Sequence, residues 1–319
     1  MHRAATTIAF SLALAGILGP APAPLHAQPA TDNRVVAGLE GGDRAEMQTM
    51  QIPSHGASMN ALVYVAAGVG PHPAVVLLHG LPGYERNLDL AQDMRRAGWD
   101  VLYFDYRGSW GTPGDFSFSH GIEDAAAALA YLRQPGVAGK LRLDPGHIVL
   151  IGHSMGGFMA VEAAAGDPAI KAFATISAVD LGGRMQSLRT TQGEHEAIAR
   201  AGAALAGAGM APLAGCTPDG LARELLQHAA GWSFQARVDA LKNRSVLVVT
   251  SDDGFAPEDN AFADALRKAG DARVSVAHLP TDHAYSDQRR ELSKTVLAWL
   301  AGLPNHVDST GSVAPPRGR

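Results

Sequence analysis

The sequence predicts an α/β fold, a mostly parallel twisted sheet with helices on both faces and a helical cap inserted late in the chain. Three observations predict it. Five stretches, "PAVVLLHG", "WDVLYFDYRG", "HIVLIGHS", "AFATISAVD" and "SVLVVTSDD", are short and nearly continuous apolar runs, as strands buried on both faces require. Helical patterns lie between them, and such alternation implies right-handed crossovers joining parallel strands. One interval, residues 181–234, breaks the alternation.

The chain opens with "MHRAATTIAFSLALAGILGPAPAPLHAQPA", in which His2 and Arg3 precede an apolar run from Ala4 to Leu18 that is short for a membrane span. It reads as a secretory signal cut after Ala27, residues 1–27, so the expected location is periplasmic or secreted, with no stable membrane insertion after cleavage. No cysteine follows the run, which argues against a lipid anchor. Residues 28–45 are a polar, glycine-containing lead-in, and the folded domain is expected over 46–302. Its first segments, "MQTMQIP" and "MNALVYVA", flank the turn signal "SHGAS" and read as an antiparallel hairpin at a sheet edge.

Among the helices, "RNLDLAQDMRRAG" puts Leu88, Ala91 and Met94 on one face and stops at Gly98. "GIEDAAAALAYLRQPG" is alanine-rich and ends at Pro135. "MGGFMAVEAAA", "APEDNAFADALRKAG" and "SDQRRELSKTVLAWLAG" complete the set. The 181–234 interval holds only alanine-rich helical stretches with His195, Met210, Cys216, His228 and Trp232; it is too long for a connection and reads as a cap over the site. The 303–319 tail has too little apolar content to fold.

Composition narrows the classes of function. A net charge of −5 gives no basic footprint, so nucleic acid and anionic membrane are set aside as partners. Cys216 is the only cysteine, so stability must come from an apolar core and not from an internal disulfide.

Chemistry enters at "IVLIGHSMGG". Among 36 glycines a G-x-S-x-G pentapeptide alone is a weak signal. Here, however, Ser154 lies between a buried strand and a helix, where a sharp corner forces strained backbone on the apex and leaves room only for glycine at 152 and 156. A serine hydroxyl needs an adjacent base, itself oriented by a carboxylate. Asp252 and Asp253 end the next-to-last strand, and His283 lies in the loop beyond the last. Ser, Asp, His at the carboxyl ends of strands is the chain order this architecture uses.

Taken together, "LLHGLPG", "FDYRGSWG", "GHSMGG", "SDDGFAP" and "DHAY", spread from Val75 to Trp299, resemble the α/β-hydrolases, and the α/β-hydrolase fold is the expectation. Within that superfamily the "HGLPG" to "YRGSWG" stretch is similar to exported bacterial hydrolases related to the prolyl oligopeptidase catalytic domain and to the dienelactone hydrolases. The resemblance implies Asp253, four residues before Pro257, as the acid, ahead of its neighbour Asp252, with Asp180 third. It also implies an oxyanion hole made by the amides of Met155 and Leu81, where Gly80 and Gly83 let the backbone approach a ligand. Tyr84 is a candidate to add a hydroxyl there. Trp110 is a candidate to line the acyl pocket, ordinary packing being the other reading.

Bland roles are expected elsewhere. Arg107 should tie loops together, His120 and Asp115 should serve as loop polar groups, Cys216 should sit in the cap as a small buried hydrophobe, and Trp232 and Phe234 should anchor packing. His79, His153 and His283 lack the paired spacing of a zinc site, so no metal and no cofactor is expected. The expected activity is an exported serine hydrolase cleaving small-molecule carboxylic esters through an acyl-enzyme on Ser154, with peptidase or acyltransferase activity as alternatives. Dienelactone hydrolases use cysteine where Ser154 stands, and prolyl oligopeptidase relatives carry a propeller ahead of a catalytic domain whose first strand begins here at Met47, so esters rank first.

Overall fold

Period-two alternation on the central strands divides the interior into two apolar layers. In β3 (His72–Leu78), Val75 and Leu77 enter one layer while Val76 and Leu78 enter the other; in β7 (Ser245–Thr250), Leu247 and Val249 oppose Val246 and Val248 in the same way. A strand that fills both layers has no solvent face left for polar residues, hence the continuous apolar runs. The computed structural model describes residues 44–304 except 271 and 272. The expected signal peptide, nearly all of the lead-in and the tail beyond Pro304 lie outside the described residues.

One eight-stranded sheet carries the molecule. Beside β3 and β7 it contains β1 (Glu46–Ser54), β2 (Ala57–Val65), β4 (Asp100–Phe104), β5 (Leu143–His153), β6 (Ala172–Ile176) and β8 (Val274–His278), in the order β1-β2-β4-β3-β5-β6-β7-β8. β2 is antiparallel to both β1 and β4, which gives the expected edge hairpin, and every pairing from β4 through β8 is parallel.

Helices α1 (Leu88–Arg96) and α10 (Arg289–Ala301) cover one face, with Leu90, Ala91 and Met94 packed near Leu292, Val296 and Leu300. The other face carries α2 (Phe118–Leu132), α3 (Pro135–Leu141), α4 (Met155–Gly166), α8 (Phe234–Leu241) and α9 (Ala256–Lys268). The expected end at Pro135 is half of what is found: α2 stops at Leu132, and Pro135, which has no N–H to lose at a first helical position, opens α3. The core also reaches one residue past the expected boundary at 302, since Leu303 is buried in the α1/α10 layer.

The 181–234 interval holds α5 (Leu181–Gln192), α6 (Glu194–Gly207) and α7 (Pro218–His228), with one isolated bridge between Ser109 and Leu213. Its two ends meet at Asp180. That carboxylate accepts the Gly183 N–H at 2.8 Å, capping α5, and the Phe234 N–H at 3.2 Å, where the chain rejoins the core. The approach is close enough that a Cβ on Gly182 would lie 2.3 Å from the Trp232 carbonyl carbon. Farther along, Glu224 of α7 accepts the N–H groups of Phe118 and Ser119 at 3.0 and 2.8 Å, placing an anion on the positive end of α2.

Candidate active site

β5 runs directly into α4, and the residue at the corner is Ser154, with φ 58° and ψ −123°. A non-glycine residue in that region is strained, and the surroundings hold it there. The Ser154 N–H donates to the Ile176 carbonyl at 2.9 Å, while its own carbonyl accepts the Gly157 N–H at 2.9 Å. A Cβ on Gly152 would lie 1.9 Å from the Gly156 oxygen, and one on Gly156 would lie 2.0 Å from the Leu78 oxygen. Both glycines are therefore demanded by backbone packed against backbone.

The residues expected as base and acid come from the loops after β8 and β7. His283 Nδ1–H donates to Asp253 Oδ2 at 2.7 Å. The Asp253 side chain is 5% exposed and the His283 side chain 39%. The imidazole lies beside the elbow: the rings of His153 and His283 are 4.7 Å apart, and His153 Nε2–H donates to the His283 carbonyl at 2.8 Å. Burial opposes the charge of Asp253, but hydrogen bonds from His283, the Phe255 N–H and the hydroxyls of Ser177 and Ser251 outweigh it and hold the carboxyl well below its ordinary value.

Its rivals lie elsewhere. Asp252 is mostly exposed and stands 3.2 Å from His278. Asp180 is engaged at the ends of the cap.

A hydroxyl cluster under the acid was not anticipated from the sequence. Ser177 Oγ lies 2.9 Å from Ser251 Oγ and 2.8 Å from the Tyr285 hydroxyl, which also reaches the Val249 carbonyl at 3.3 Å. Ser177 and Tyr285 both have positive φ and are fully buried. The available signal was a polar residue closing each apolar strand, in "ATIS" and "VVTS".

Opposite the elbow, the "HGLPG" loop comes in by its backbone. A Cβ on Gly80 would lie 2.9 Å from Ser154 Cβ and 3.4 Å from its Oγ, so the loop sits against the serine. Met155 is the first residue of α4, where N–H groups have no partner within the helix. The loop is fastened by His79, whose Nδ1–H donates to the Gly80 carbonyl at 2.7 Å, and by Trp110, whose Nε1–H donates to the Pro82 carbonyl at 2.6 Å. Burial, aided by the Arg86 charge, lowers the His79 pKa to about 4, and burial beside His283 lowers that of His153 to about 3; both rings are neutral at pH 7.

Ser154, Leu81 and Met155 open on a cavity of about 450 Å³ between the core and the cap, walled largely by α5 and α6. The two expected substrate contacts are not on its wall. Trp110 is held against Pro82 and under the Arg86 guanidinium, 4.4 Å from its ring, and Tyr84 is 64% exposed with its ring edge-on to Trp110. Tyr84 leaves the loop toward solvent, and Trp110, from the segment after β4, packs on the back of that loop.

Gly83 likewise serves packing and not a ligand, since a Cβ there would lie 2.6 Å from His79. Arg107 behaves as expected, joining Asp124, Glu123 and the His120 carbonyl. His120, expected in a loop, is in the first turn of α2 with its ring on the Asp115 carbonyl, and Trp232 and Phe234 are buried packing residues. Cys216 is only partly buried. Among the described residues no group of three or more potential metal ligands occurs, and no helix is long and apolar enough to cross a membrane.

A parallel sheet with a strained serine between β5 and α4, and a carboxylate and an imidazole joined at the ends of later strands, defines a hydrolase of the α/β type. The chain belongs to the alpha/beta hydrolase family, whose sequence model matches residues 75–295. It is similar to an uncharacterized protein of Mycobacterium tuberculosis (strain ATCC 25618 / H37Rv), 37% identical over 94 residues, or 29% of this chain and 31% of that one. The match thus spans under a third of that relative. Among solved structures, an esterase of Pyrobaculum calidifontis shares the fold with a TM-score of 0.57 at 22% identity, over 79% of this chain and 84% of the esterase. A thermostable carboxylesterase cloned from a metagenomic library does so with a TM-score of 0.57 at 21% identity, over 85% and 93%.

Proposed function

We propose that the protein is an exported serine hydrolase that cleaves carboxylic esters through an acyl-enzyme on Ser154. The observation that carries this reading is the His283–Asp253 hydrogen bond, held beside the strained serine elbow. With Nδ1–H donated to Asp253, the lone pair of the neutral ring is on Nε2. That nitrogen takes the Ser154 proton as Oγ bonds to the acyl carbon, and the carbonyl electrons move onto oxygen, facing the amides of Leu81 and Met155. Collapse of the tetrahedral species breaks the bond to the alkoxy oxygen, which leaves with the proton from His283. Water, deprotonated by the same imidazole, then releases the acid and restores the serine.

Esters are favoured over peptides because the similar solved structures include an esterase and a carboxylesterase. Export, to the periplasm or medium, rests on the apolar run that follows His2 and Arg3. A fluorophosphonate probe tests the chemistry: it should modify Ser154 in the purified protein and leave the Ser154→Ala variant unlabelled. Labelling of both, or of neither, would remove the mechanism.

A further inference from the structure

The cavity that opens at Ser154 is lined on one side by small side chains of α6. Along α6 the cavity is lined by half-buried Ala201, by Ala204 and buried Leu205, and by Ala208 just past the end of the helix, with Ala204 and Ala208 exposed at its rim. A longer side chain at 201 would enter the space shared with Met185 and Leu188 of α5 and Leu225 of α7; alanine leaves it open. The remaining wall is apolar apart from Ser187 and two arginines, each part-exposed and already paired with a carboxylate. Arg184 pairs with both oxygens of Glu258 at 2.9 and 2.7 Å and lies 4.3 Å from the Phe255 ring, while Arg200 pairs with Glu196 at 2.9 Å.

Direction follows from His283. The leaving alcohol must take its proton from that imidazole, which is partly open to solvent and is not on the cavity wall, so the alcohol departs on that side and the acyl chain points the other way. At the ~30 Å³ that a water-sized group occupies in a liquid, a cavity of about 450 Å³ has room for about fifteen non-hydrogen atoms, enough for an acyl chain of roughly six to ten carbons with its ester oxygens.

We propose that this cavity is the acyl site and that it selects an uncharged, apolar acyl chain of medium length, with the small side chain at Ala201 of α6 helping to set the limit; this rests on Ser154 being the nucleophile. The test is kcat/KM for p-nitrophenyl esters from acetate to palmitate. It should rise about three- to four-fold per methylene, reach its maximum between hexanoate and decanoate, and then fall. In Ala201→Phe the octanoate-to-acetate ratio should drop at least about ten-fold, whereas in Ala203→Phe, at an exposed position off the cavity wall, it should stay within about two-fold of the parent.

The p-nitrophenyl monoester of adipic acid should turn over at least about ten-fold more slowly than the hexanoate, because its free carboxylate would lose water against an apolar wall whose two arginines are already engaged by Glu258 and Glu196. A maximum at acetate, an unmoved ratio in Ala201→Phe, or equal turnover of the adipate and hexanoate esters would overturn the assignment. Fluorophosphonate labelling of each protein separates the two levels. Labelled Ser154 with a flat chain-length profile defeats the acyl site alone, and unlabelled parent protein defeats the chemistry on which it rests.

Discussion

His153 and His283, 130 positions apart in sequence, are joined by a hydrogen bond from the Nε2–H of the first to the backbone carbonyl of the second, at 2.8 Å. The donor is the residue next to Ser154, so the strand end that presents the serine also fixes the loop that presents the imidazole. His153 is thus a positioning residue for the base. A displacement of the order of 1 Å between reacting groups costs about a hundred-fold in rate. His153→Ala should therefore lower kcat by about ten- to a hundred-fold with KM little changed, and His153→Gln, whose amide can still donate, should recover part of the loss. Equal kcat in the parent and the alanine variant would show that the loop holds its place without this bond.

Burial of the same ring has a consequence for stability. His79 and His153 have pKa values lowered to about 4 and about 3 from 6.5, chiefly by desolvation. Below pH 6.5 the unfolded chain binds protons that these folded rings refuse, so stability is fully present above 6.5 and is lost as pH falls toward those lowered values. Each ring should contribute a slope of about 1.4 kcal/mol per pH unit across that window. Urea unfolding at pH 7, 6 and 5 checks this: His153→Gln should show a shallower fall than the parent, and parallel curves would count against it.

Two adjacent carboxylates, Asp252 and Asp253, could not be told apart by residue type, and their environments separate them. Asp253 is nearly buried on His283, whereas Asp252 is mostly exposed beside His278. Asp253→Asn should lower kcat by about 10³- to 10⁴-fold, because an amide in place of the carboxylate no longer stabilises the Nδ1–H tautomer or the imidazolium that forms. Asp252→Asn should change kcat by less than about two-fold and stability by less than about 0.5 kcal/mol. Steady-state kinetics on a short-chain ester decide it, and the reverse ranking would move the acid to residue 252.

What the sequence disclosed and what it hid divide along physical lines. The strands were legible because double-sided burial leaves only apolar residues, and the elbow because backbone crowding at 152 and 156 permits only glycine. The helix starting at Pro135 was hidden because proline marks an end and a beginning alike. Tyr84, beside "HGLPG", and Trp110, in "FDYRGSWG", were misdirected because membership of a motif loop does not say which way a side chain leaves it. The Ser177, Ser251 and Tyr285 cluster depends on the ends of β6 and β7 meeting the loop after β8, which no local pattern encodes. The cavity depends on what faces the alanines of α6 across a gap, which is a tertiary fact.

Asp180 shows the same division, since it was a third candidate for the acid and instead closes the cap. Its carboxylate accepts N–H groups from Gly183 and Phe234, one at each end of the inserted segment, and the Asp180 N–H donates to Glu258 at 3.1 Å. Removing the carboxylate leaves two backbone donors without their acceptor and takes away the cap of α5, together about 1 to 3 kcal/mol. Asp180→Ala should therefore lower the urea midpoint with m unchanged and open the cap segment to limited proteolysis. Because the residue is not the partner of His283, purified folded Asp180→Ala should retain kcat on a short-chain ester within about ten-fold of the parent, set against the thousand-fold loss expected at Asp253. A loss as deep as that of Asp253→Asn, in protein that is still folded, would give Asp180 a direct part in the chemistry.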